Sequence, residues 1–350
     1  MVIYMRQPAC PVGQRGARLA SARAAASLVA GLALAGCELV TAPASTLAPK
    51  SDYGRVSYDI FLSIFWWDVG IFLVVSVALL WIIVRFRERD PQTLPPQVRG
   101  NARLELAWTV APVVVLTLIA FPTVRAVFRT QATPPRAALG VRVTGHQWWW
   151  EFEYPELGIR TATELHLPVG RPVRLELRSP DVIHSFWIPQ LGGKRDTPPG
   201  KVNRIVLTPT TPGRYYGQCA EFCGASHANM RMLAVVETPA EFDAWVARQR
   251  APAATPADGS GAAAGLRAFT TGACVGCHTI AGVSAGVVGP DLTHVGSRTT
   301  IAGGTLPNTP DALARWLADP PGVKPGSIMP DLHLSVADVR ALAAYLETLQ

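Results

Sequence analysis

The chain is decided by Cys219-Ala220-Glu221-Phe222-Cys223-Gly224-Ala225-Ser226-His227-Ala228-Asn229-Met230. Two thiols, an imidazole and a thioether fall within twelve positions. Soft sulfur together with imidazole is a donor set suited to copper. A second imidazole stands upstream in Asp181-Val182-Ile183-His184-Ser185-Phe186-Trp187. An ordinary single-copper site uses one thiolate, two imidazoles and a weak thioether. Two thiolates with His184 and His227 instead suit two ions, each sulfur bridging both and each imidazole capping one. Met230 is then a weak donor, and the Glu221 carbonyl can reach the second ion. A tetrahedral zinc site and a disulfide draw on the same residues, and both stay open on spacing alone.

The loop sits among short alternating segments. Val141–Thr144, Arg171–Leu177, Val202–Leu207 and Met232–Val236 have strand character, with turn signals at Pro155-Glu156-Leu157-Gly158 and Thr211-Pro212-Gly213. Regularly spaced short strands predict a sandwich or barrel. Thr238-Pro239-Ala240-Glu241 then opens a helix with a capping box and proline at its first position.

Downstream, 251–261 is an Ala/Pro/Gly linker. Beyond it Cys274-Val275-Gly276-Cys277-His278 has the spacing of covalent haem c attachment, with His278 as an axial ligand. Ser327-Ile328-Met329-Pro330 resembles the methionine loop of small cytochromes c, which makes Met329 the second axial ligand and leaves His294 and His333 as ordinary histidines. Gly289-Pro290-Asp291-Leu292 resembles the turn whose proline carbonyl fixes the axial imidazole. Helices are expected from Thr309-Pro310-Asp311 to Ala318 and from Ser335 to about Leu349.

Upstream lie two apolar runs, Ile60–Val84 and Leu106 to about Phe128, each long enough to cross a bilayer. Arg85, Arg87, Arg89, Arg99 and Arg103 lie between them, so this loop is expected on the cytoplasmic side and both chain ends on the other. Asp68 within the first run should face protein or water, or lie near the interface. Before the runs, a basic leader and the short apolar stretch Ala24–Gly36 read as a signal peptide. The end of that stretch, Leu34-Ala35-Gly36-Cys37, resembles a bacterial lipobox, which implies lipidation of Cys37 and a tether over 37–54.

Composition agrees with a membrane protein bearing soluble domains: 350 residues, 49% hydrophobic, 16% charged, net charge +7. No basic helix or aromatic-basic stripe suggests nucleic acid. The six cysteines do not form a spaced disulfide framework.

The stretches Gly145-His146-Gln147-Trp148-Trp149-Trp150-Glu151, Val182–Pro189, Leu191-Gly192-Gly193-Lys194-Arg195-Asp196 and Tyr215 through Met230 together resemble cytochrome c oxidase subunit 2, in the bacterial form with a fused cytochrome c. The resemblance implies a two-helix transmembrane hairpin (55–130), an all-β cupredoxin-like copper domain (138–250) and an all-α cytochrome c domain (262–350). It assigns His184, Cys219, Glu221 through its carbonyl, Cys223, His227 and Met230 to a binuclear copper centre. It gives the Glu221 side chain a magnesium ion at the interface with subunit 1. Trp148 resembles the surface tryptophan where electrons enter, and Glu105 the carboxylate at the mouth of a proton path. In an alternating strand Trp149 would face away from Trp148 and Trp150. Gln190 departs from the family's glutamate, which would weaken a contact with subunit 1. Quinol-using relatives lack the copper ligands, which argues against quinol as donor, and an external cytochrome c or similar electron donor is expected. The implied function is electron delivery to subunit 1 of a haem–copper terminal oxidase, in the bacterial plasma membrane, with proton pumping. The rivals are a membrane-tethered electron carrier working without an oxidase, and a copper-delivery or copper-sensing protein.

Overall fold

A computed structural model describes residues 42–87, 97, 99–131 and 133–350. The signal segment 1–36 and Cys37 lie outside the described residues, as do the first residues of the proposed tether, 37–41, and Arg89.

Among the described residues two long helices come first, α1 (Asp52–Arg85) and α2 (Ala102–Thr130). Both are long and apolar enough to cross a membrane. Helix α1 begins well before the apolar run at Ile60, because Ser51 caps it by accepting from the Gly54 amide at 2.9 Å. That same hydroxyl donates to the Leu191 carbonyl at 2.5 Å. The Lys50 amide donates to the Gln190 carbonyl, and the Thr208 amide to Asp52 Oδ1 at 2.6 Å. The helix therefore starts inside the β domain, and the approach to it from Lys50 onward is packed. Asn101 caps α2 in the same way, and that helix runs through Pro112 and Pro122.

The β domain is a sandwich of two five-stranded sheets. One has the order β3 (Ile159–Ala162), β2 (Trp149–Tyr154), β1 (Leu139–His146), β5 (Val173–Arg178), β8 (Asn203–Leu207). The other has the order β4 (Glu164–Pro168), β10 (Arg231–Glu237), β9 (Gly213–Cys219), β6 (His184–Trp187), β7 (Arg195–Thr197). Alternation sends Leu139, Val141 and Val143 of β1, Val173, Leu175 and Leu177 of β5, and Met232, Ala234 and Val236 of β10 into one shared core. Each such valine, leucine or methionine contributes roughly 1.5–3 kcal/mol on burial. Helix α3 (Pro239–Gln249) closes one end with Phe242 and Trp245, and its Thr238–Glu241 capping box is formed.

The C-terminal domain is helical: α4 (Gly261–Thr271), α5 (Cys274–Cys277), α6 (Pro310–Ala318), α7 (Pro320–Val323) and α8 (Val336–Thr348). Two ribbons of two-residue strands supplement the helices. Helices α4 and α8 cross closely at Gly265, where a Cβ would lie 2.0 Å from the Ala341 carbonyl oxygen. Val339, Leu342, Ala343 and Leu346 are buried, as their spacing predicts.

This domain seats directly on the β domain. The Thr299 amide donates to Glu164 Oε1 at 2.7 Å, and Ser226 Oγ to the Pro325 carbonyl at 2.6 Å. The Arg231 amide donates to the Gly303 carbonyl at 2.9 Å, and Thr305 Oγ1 to the Asn229 carbonyl at 3.1 Å.

Candidate metal centre and haem cavity

Strand β6 starts at His184, and β9 ends at Cys219 beside it, since Phe186 pairs with Cys219. The chain then loops through Cys223 and a 3-10 turn at His227–Asn229 before β10 begins. Sheet pairing thus anchors both ends of the ligand set, and the loop folds the rest back.

The six residues converge. Cys219 Sγ and Cys223 Sγ stand 3.7 Å apart and unbonded, which removes the disulfide reading. His184 Nδ1 lies 3.9 Å from Cys219 Sγ, and His227 Nδ1 lies 3.5 Å from Cys223 Sγ. The Glu221 carbonyl is 3.2 Å from Cys219 Sγ, and Met230 Sδ is 3.8 Å from Cys223 Sγ. Each thiol therefore has its own imidazole and its own weak donor. A tetrahedral zinc ion needs four donors and would leave two idle. Two copper ions would use all six, so the residues fit a binuclear copper centre. His184, Cys219, Cys223 and Met230 are buried, His227 is half-buried, and the Glu221 side chain is exposed.

The electrostatics favour metal uptake. The Cys223 thiol donates to Cys219, holding Cys219 well below the ordinary thiol range, while the same bond pushes Cys223 up. Cys219 is thus favoured as a thiolate ligand, and copper binding would displace the proton of Cys223. His184 Nε2 meets Asp181 Oδ1 at 2.8 Å, which aims Nδ1 at the sulfurs. Asp181 also accepts from the amides of Val182 at 2.6 Å and Gln147 at 2.7 Å. Burial opposes its charge, but these bonds prevail and its carboxyl lies below the usual range. Asp181 was not singled out from sequence. Its signal was local, a carboxylate three residues before a ligand histidine.

Trp148 requires a correction. It lies in the turn between β1 and β2, not in a strand, and it is only 8% exposed. The cytochrome domain covers it, so the expected surface position does not hold. Its Nε1–H donates to the Cys223 carbonyl at 2.9 Å, and Gln147 Nε2 donates to the same carbonyl at 2.7 Å. Trp150 is fully buried and Trp149 half-buried.

A cavity of about 270 Å³ in the helical domain is lined by Cys274, Cys277, His278 and Met329. His278 Nδ1 lies 2.8 Å from the Pro290 carbonyl, leaving Nε2 as the metal donor. Burial holds the His278 pKa below its ordinary value, which keeps the imidazole in its ligating form. The thiols are free, and the surrounding walls are mostly apolar, so the residues fit haem c. His294 is buried with Nδ1 2.9 Å from the Gln350 carbonyl, and His333 is exposed beside Asp331. Neither lines the cavity. His146, Gln147, Trp148 and Trp149 of the β domain do line it.

Two further groups went unread in the sequence. Lys324 is 3% exposed between the domains. His166 is held between Glu164 and Glu237, with Nδ1 3.0 Å from Glu237 and its ring stacked on Trp245 at 4.3 Å. Asp68 and Glu105 are exposed on their helices.

Family models match in three places: the cytochrome c oxidase subunit II transmembrane domain over 57–126, its periplasmic domain over 158–238, and cytochrome c over 262–350. The chain is 38% identical over 315 residues to a cytochrome c oxidase subunit 2 of Alkalihalophilus pseudofirmus, covering 87% of this chain and 91% of that one. It is 35% identical to the Bacillus subtilis cytochrome c oxidase subunit 2, covering 87% and 92%. A solved periplasmic domain of subunit II from Bradyrhizobium japonicum is 31% identical and covers 34% of this chain and 97% of its own, with a TM-score of 0.33. With both oxidase domains followed by a cytochrome c domain, the chain belongs to the cytochrome c oxidase subunit 2 family and is a two-span membrane subunit of a haem–copper terminal oxidase.

Proposed function

We propose that this chain accepts electrons from an external cytochrome c and delivers them to subunit 1, where oxygen is reduced and protons are pumped. The observation that carries this reading is the complete six-residue donor set lying directly against the haem cavity, joined to it by Trp148. When bound, the copper pair and haem c each supply reversible one-electron chemistry. The chain's own residues hold and insulate them. His184, Cys219, the Glu221 carbonyl, Cys223, His227 and Met230 would hold copper. Cys274, Cys277, His278 and Met329 would hold haem. A rigid sandwich keeps the ligand geometry the same before and after electron uptake, so little reorganisation is needed.

The finer assignments follow the same reading. The exposed Glu221 carboxylate is left to face subunit 1 and share a magnesium ion there. Glu105, in the first turn of α2, sits where a proton path would open. The arginine-bearing loop places the copper and haem domains on the outer, periplasmic face, where lipidated Cys37 would also lie.

Purification in mild detergent tests the proposal. A large haem-bearing subunit should co-purify, together with two coppers and one haem c on this chain. Its absence would favour a self-sufficient electron carrier. Copper lost readily to a weak chelator would favour copper delivery.

A further inference from the structure

Lys324 lies in the seam between the two exterior domains. Its ammonium donates to the carbonyl of Trp148 in the β domain and, at 2.9 Å, to the carbonyl of Ala302 in the helical domain. Among the described residues it makes no ion pair with a carboxylate. Burial pulls its pKa down to about 7. A buried lysine without a carboxylate is costly, and main-chain carbonyls must satisfy it. Here those carbonyls belong to different domains, so the domains must stay together for the group to be satisfied.

The neighbouring bonds point to the same role. Ser226, Asn229 and Arg231 alternate with the ligands His227 and Met230, and each bonds the helical domain. Gly326 leaves room for the Trp148 ring, since a Cβ there would lie 2.8 Å from it.

We propose that Lys324 is a positioning residue for electron passage between the two exterior domains. It clamps the Trp148 backbone to the helical domain while the Trp148 indole holds the Cys223 carbonyl. The haem cavity and the copper loop are thereby kept in one fixed arrangement, and Trp148 is closed to external donors. The role rests on the electron-delivery reading above. Haem and copper, once bound, would supply the one-electron chemistry, and Lys324 and Trp148 would fix the distance between their sites.

The test uses the full chain in detergent, loaded with copper and haem, comparing wild type with Lys324→Met. In the variant, hydrogen exchange at the Arg231 amide should rise at least tenfold. Haem-to-copper electron passage after flash reduction should slow at least tenfold, with both optical spectra unchanged. Below about pH 7, where the Lys324 amine is protonated, the copper potential of the variant should lie negative of wild type, because that positive charge is gone. Unchanged exchange, rate and potential would overturn the clamp. Should the variant fold poorly, acylation of the wild type decides: Lys324 should resist a reagent that labels exposed Lys201, and equal labelling would overturn the proposal. Lack of any haem-to-copper passage in wild type would instead defeat the electron-delivery reading, while exchange and acylation would still report on the clamp.

Discussion

The indole N–H of Trp148 donates to the carbonyl of Cys223 at 2.9 Å, so a residue on the haem cavity wall is bonded to the backbone of a copper ligand. Replacing Trp148 with Phe removes the donor, although Gln147 still serves that carbonyl. The lost bond and the space left should cost about 1–3 kcal/mol of stability. Thermal unfolding measures this. Flash reduction of the haem should show slower copper reduction with both spectra intact, and an unchanged rate would remove the indole from the path.

Cys219→Ser should abolish the two-copper spectrum and leave haem c intact, because Cys219 Sγ sits between His184 and Cys223. Met230→Leu should keep both ions and shift the spectrum, since a thioether is the weaker donor. Metal analysis and optical spectra of the two variants check this. A two-copper spectrum surviving in the serine variant contradicts the ligand assignment.

Gly289→Ala should disturb the haem site without touching a ligand. A Cβ at 289 would lie 2.5 Å from His278 Cε1. The ring would have to leave its bond to Pro290, at a cost of about 1–3 kcal/mol for overpacking. The expected signs are a partly high-spin spectrum and a lower Tm. A wild-type spectrum would show that the backbone gives way instead.

Local features of this chain were legible because their causes are local. The cysteine spacing, the haem attachment motif, the Thr238 and Ser335 caps and the alternation in β1, β5 and β10 each depend on residues a few positions apart. The buried state of Trp148 was not legible. Its cover comes from Lys324, 176 residues away, and Glu164 meets Thr299 across 135. A lone lysine after Pro-Pro-Gly-Val has the sequence appearance of a solvated turn, and only the second domain's arrival dehydrates it. The start of α1 was missed for a similar reason: Ser51 caps the helix and bonds Leu191 at once, so polar residues before the apolar run become helical.

The contribution of His166 to stability should fall as pH rises above the ordinary histidine range. Burial opposes charge on this imidazole, but its bonds to Glu164 and Glu237 prevail, and its pKa lies above the ordinary value. The stabilisation is complete below the unfolded pKa of about 6.5 and is lost as pH rises through the folded value, at no more than about 1.4 kcal/mol per pH unit. The Tm difference between wild type and His166→Gln should shrink from pH 6 to pH 9, because the depressed pKa of Lys324 acts alike on both proteins and drops out of the difference. A constant difference would mean that His166 does not titrate in this range.

The helix that begins within the copper domain has a consequence of phase. Ser51 and Asp52 weld the first turn of α1 to Leu191 and Thr208, so the domain turns with the helix as a weathervane turns with its shaft. One residue added to the helix between this weld and the bilayer would swing the copper face by about 100°, away from any partner subunit gripping the lower spans. Seven residues, close to two whole turns, would raise it by about 10 Å and bring it back to nearly its original bearing. Bearing and height are thus separately adjustable, and comparing the two insertions would show which of them the assembled oxidase tolerates.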